Sequence, residues 1–83
     1  SFVIKLVSPS TQKDEIVRVC QNFCSSVHLL SIDFLGEEPM KETIVLEIEL
    51  FKGASYNELV TTLQGQLALD HISLLAGESD INA

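Results

Sequence analysis

The stretch KETIVLEIEL, residues 41–50, limits the fold more than any other part of the chain. Ile44, Leu46, Ile48 and Leu50 fall on one side of an extended backbone, and Thr43, Val45, Glu47 and Glu49 on the other. Successive strand side chains point to opposite faces, so this is a half-buried strand that needs an apolar layer on one side only. A strand of this kind belongs to an antiparallel sheet with one covered face.

The rest of the chain supplies three more strands and two helices. In FVIKLVSPS, Phe2, Ile4 and Leu6 share one face and Val3, Lys5 and Val7 the other, and Pro9 ends the run. STQKDEIVRVCQNFCSSV predicts a helix over 11–26. Ser10 or Thr11 is placed as its cap, Asp14 and Glu15 suit the positive end of its dipole, and Ile16, Cys20, Phe23, Cys24 and Val27 form an apolar stripe. VHLLSIDFLGEEP is extended again, with Leu30, Ile32 and Phe34 expected inward and Leu29, Ser31 and Asp33 outward. GEEPMKE is a polar loop.

After the central strand, Gly53 punctuates the chain, and Ser55 with Glu58 forms a capping box. Tyr56, Leu59, Val60, Leu63 and Leu67 then recur at helical spacing. DHISLLAGE closes the series as a strand, with Ile72, Leu74 and Ala76 expected inward and His71, Ser73 and Leu75 outward. The order β-α-β-β-α-β with right-handed crossovers predicts a ferredoxin-like α+β fold. Its four-stranded antiparallel sheet has the order 4-1-3-2, and both helices lie on one face. The domain is expected over residues 1–78, with 79–83 as a tail. The chain opens almost directly on a strand, which fits a domain cut from a longer protein.

Charge narrows the function classes. Twelve acidic and five basic residues give a net charge of −7. Nucleic-acid binding requires clustered cations that displace counterions, and an anionic membrane surface selects for the same feature, so both are disfavoured partners. The uncovered sheet face offers Phe51 as its one aromatic, at a strand end, which does not make a base-stacking platform. No apolar run is long enough to span a bilayer. Cys20 and Cys24 are too close in sequence to staple distant segments, which fits a reducing, cytoplasmic setting.

Few residues carry a chemical signal. Cys20, Cys24 and His28, with His71 and Asp33 as helpers, have the spacing of a soft-metal site. Both cysteines fall on an apolar stripe, however, and free cysteine is among the most buried residue types. No metal and no cofactor is therefore assigned. Arg18 is the only arginine and lies mid-helix on the polar side, so it does not cradle a phosphate. Glu37–Glu38 and Glu47/Glu49 read as solvated charges, no glycine-rich phosphate loop is present, and no catalytic residue is assigned. On the uncovered face, Val3, Val7, Val45 and Leu75 are more apolar than water contact requires. They are the candidate interface for a second sheet, another domain or another copy.

From FVIKLV through ISLLAG the layout resembles the ACT-like group of small regulatory domains, most clearly in YNELVTTLQGQLALDHISLL. The resemblance implies a non-catalytic domain that pairs by sheet edges or faces. In its ligand-binding form it senses an amino acid or divalent metal at a dimer interface. Such members carry a glycine in the turn after the first strand. The corresponding turn here, VSPSTQ, has none and its Pro9 removes a donor, and Ser8, Ser10 and Thr11 are the ligand candidates it offers. In length, pattern and acidity the chain is also similar to the C-terminal cytosolic domain of MgtC/SapB-family membrane proteins. That implies a regulatory domain linked to magnesium homeostasis.

Overall fold

A computed structural model describes residues 1–37 and 40–77; the expected tail at 79–83 lies outside the described residues. The elements are β1 (Phe2–Ser8), α1 (Lys13–Gln21), β2 (Cys24–Leu35), β3 (Lys41–Leu50), α2 (Tyr56–Gln66) and β4 (His71–Ala76). The sheet order is β2-β3-β1-β4, all pairs antiparallel, which is the expected 4-1-3-2 order counted from the other edge. The fold is ferredoxin-like. Ile4 and Leu6 of β1 and Ile44, Leu46 and Ile48 of β3 are buried with Ile16, Val19 and Cys20 of α1 and Leu59 and Leu63 of α2. That single cluster lies on the side of the sheet that alternation assigned to the core.

α1 departs from its expected span. It ends at Gln21, not near residue 26. The amides of Asn22 and Phe23 donate to the carbonyls of Val19 and Cys20 and tighten the last turn. Phe23 then accepts from Phe51 N, and Cys24 pairs with Leu50, so the segment joins the sheet. Cys, Ser, Ser and Val are weak helix formers, and a strand partner outweighs that propensity. Neither Ser10 nor Thr11 caps α1. Gln12 holds the cap position without a side-chain cap, and its amide donates to the Glu42 carboxylate at 3.0 Å. α2 starts as expected, with Ser55 Oγ accepting from Asn57 N and Glu58 N at 3.1 and 3.4 Å.

β2 carries two one-residue bulges against β3, at Ser25 and at Leu30. Each shifts the alternation by one. Val27 and Leu29 stand opposite Ile48 and Leu46 on the helix side, and beyond Leu30 it is Ile32 and Phe34 that stand opposite Ile44 and Glu42. The expected inward position of Leu30 and outward position of Leu29 are therefore corrected: Leu30 is the bulged residue, and Leu29 faces the helix side. A third bulge, at Leu75 of β4, sets Ala76 opposite Val3 on the uncovered face instead of inward.

Candidate functional site

The metal candidates do not converge. Cys20 and Cys24 are both buried in the core. His28 is exposed and stands opposite Glu47 on the other side of the sheet. His71 stands opposite Val7 on β4, and Asp33 opposite Thr43 on β2, so they occupy opposite edges. Among the described residues no group of three His, Cys, Asp or Glu is placed to hold a metal ion. Burial, reinforced by the neighbouring Cys24, pushes the Cys20 thiol up to about 12, and burial raises Cys24 too. Both thiols stay protonated and are poor ligands and nucleophiles.

The turn after β1 is held by its own hydrogen bonds. Ser8 is fully buried; its Oγ donates to Ser10 O at 2.6 Å and accepts from Gln12 Nε2 at 2.6 Å. Gln12 Nε2 also donates to Ala68 O, tying the turn to the approach to β4. Ser8 is committed to structure, while Ser10 and Thr11 are exposed. Thr11 lines a groove of about 400 Å³ between the start of α1 and β2, walled by Ile32 and Phe34 and floored by Glu42. Glu42 is only 2% exposed, and its carboxylate sits at the positive end of α1. Its position was readable in the sequence: it shares parity with Ile44 in KETIVLEIEL, and a polar residue on the core parity is a signal in itself.

On the uncovered face, Val45 stands opposite Lys5, with Val3 and Val7 as its diagonal neighbours on β1. All three valines are half-buried, and Leu75 is exposed at the β4 edge. Lys5 is a diagonal step from Glu47 rather than directly across from it. Of the large exposed apolar side chains, Leu74 lies beside Leu75 on β4, and the largest group lies on the other edge strand, β2: Leu29 44%, Leu30 54%, Phe34 51% and Leu35 58%. β2 is the longest strand of the sheet, with β3 on one side and, among the described residues, no strand on the other. The sequence missed this surface because an apolar strand looks alike whether it is central or at an edge.

The geometry defines a ferredoxin-like α+β domain whose longest edge strand, β2, is apolar on its exposed side. No family model, no curated protein and no solved structure matches the chain. No helix among the described residues is long and apolar enough to cross a membrane.

Proposed function

We propose that this chain is a non-catalytic regulatory or interaction domain whose contact surface runs along β2. One observation carries the reading: the longest strand lies at the edge and exposes Leu29, Leu30, Phe34 and Leu35 together. Soluble proteins ordinarily blunt such edges with short strands or charges, and an exposed apolar edge invites strand addition or docking. Val3, Val7, Val45 and Leu75 extend the contact onto the uncovered face. The ferredoxin-like fold and the acidic balance support the parent setting implied by the ACT-like and MgtC/SapB resemblances: a cytoplasmic domain of a larger, transport-related protein. In the full-length protein, Leu30→Lys combined with Phe34→Lys should abolish regulation while the domain keeps its unfolding midpoint; regulation retained at wild-type level overturns the reading.

The groove beside Thr11 favours a second reading, a small-ligand sensor. Its buried carboxylate and its Ile32–Phe34 wall suit a ligand with a cationic and an apolar part. A thermal-shift screen over amino acids and divalent cations separates the two, because a ligand that binds only the folded state raises the midpoint. The interaction reading expects no shift, and the sensor reading expects one that Phe34→Ala abolishes.

A further inference from the structure

The bulge at Leu30 makes β2 complementary to itself. In a two-fold antiparallel strand pair, residues directly across from one another share a face of the sheet. A strictly alternating strand meets this condition only when the axis passes through a residue. The phase shift at Leu30 changes that. Val27, Leu29, Ile32 and Phe34 face the helix side, while Ser26, His28, Asp33 and Leu35 face the uncovered side. An axis between Leu30 and Ser31 therefore sets like faces together along the strand. Val27 meets Phe34 and Leu29 meets Ile32 on the helix side, and His28 meets Asp33 and Ser26 meets Leu35 on the other.

We infer that the occupant of the β2 edge is a second copy of this chain, paired β2 to β2 about that axis. Each His28 then meets Asp33 of the other copy, and the two sheets become one continuous sheet. This rests on the proposed reading of β2 as a contact surface and names its partner. Two further observations select the partner and the register. Of the twelve acidic residues, only Asp33 lies in β2, and this pairing sets it against His28, so two chains of net charge −7 meet with each strand carboxylate opposite an imidazole. Moving the axis one residue towards the N-terminus also matches faces, but it pairs His28 with Ser31 and leaves Asp33 across from Ser26. An axis through Asp33 sets the two carboxylates against each other. Only the axis at Leu30/Ser31 provides the histidine–carboxylate contact twice and packs Phe34 on an apolar residue. The two bulges adjoin at the axis, and the ladder forms on either flank.

Light scattering over rising concentration reads the mass, and cysteine trapping reads the register. His28→Cys and Asp33→Cys are made as separate variants, both at exposed positions, with the unaltered chain as the blank for Cys20 and Cys24. Mild oxidation of their mixture should yield a disulfide-linked dimer containing one of each, while neither variant alone crosslinks. Leu30→Lys should convert the dimer to monomer, and its unfolding midpoint should match that of the unaltered chain diluted to monomer and no longer rise with concentration. A monomer at every concentration overturns the inference, as does a dimer in which His28→Cys or Asp33→Cys crosslinks to itself. Neither result touches the wider interaction reading, which the double lysine variant tests in the full-length protein.

Discussion

Leu46 of β3 and Leu29 of β2 stand directly across from each other, on the same face of the sheet, yet Leu46 is fully buried and Leu29 is 44% exposed. The residue type is the same and the rung is the same. What differs is position: β3 lies next to β1 beneath the helix layer, whereas β2 is the edge strand and carries the bulges. Apolar character on a strand thus marks a need for burial that the centre of this sheet satisfies and its edge leaves open. The centre holds the fold, and the edge is available for contact.

The largest expected effect lies at the centre. Leu46→Ala should cost about 2–5 kcal/mol and leave a domain of this size close to unfolding, whereas Leu29→Ala should cost less than about 1 kcal/mol. Urea denaturation of the two variants measures the contrast, and equal losses would break it.

Ser8→Ala is next. It removes an acceptor of Gln12 Nε2 and a donor to Ser10 O at the buried end of β1, and should cost about 1–3 kcal/mol. If Ser8 instead bound a ligand, the variant would keep its midpoint and lose only a ligand-induced shift.

Alkaline pH probes the core alone. An unfolded Cys20 loses its proton near 9.0, while the folded thiol holds it to about 12. The folded state therefore binds the extra proton between those values, and stability falls as pH rises through that window. Cys20 should contribute a loss of about 1 kcal/mol by pH 10. Tyr56, raised by burial from 10.0, adds a loss of the same sign at higher pH. Unfolding midpoints from pH 8 to 11 (a range set around those two groups) test this, with Cys20→Ala expected to flatten the profile. The thiols should also resist alkylation until the protein unfolds.

The smallest effect belongs to the edge. Leu30→Ala should change stability by no more than about 0.5 kcal/mol, since the bulged side chain is mostly in water. A large loss there would mean that the chain alone already buries this edge.

Much of the fold was legible residue by residue. The alternation of β1 and β3 assigned Ile4, Leu6, Ile44, Leu46 and Ile48 to the core, and Ser55 marked the start of α2. Both signals are local, since strand parity and a cap hydrogen bond depend on neighbours within a few residues. The site was less legible. Thr11, a ligand candidate from its turn, lines the groove, whereas Glu42, which lines it too, carries its signal only in its inward parity on β3. The phase of β2 could not be obtained from periodicity, because a bulge is a mismatch between two strands and not a property of one.

By itself the sequence determined the element order, the covered face of the two central strands and the ferredoxin-like class, because these follow from side-chain period and turn chemistry along the chain. Only the tertiary structure decided where α1 stops, which β2 side chains point where, and that its leucines and Phe34 remain in water. Those outcomes depend on which strand lies beside which and how far the helix layer reaches. Strand neighbours and cover come from contacts between residues far apart in the chain, which no local pattern encodes.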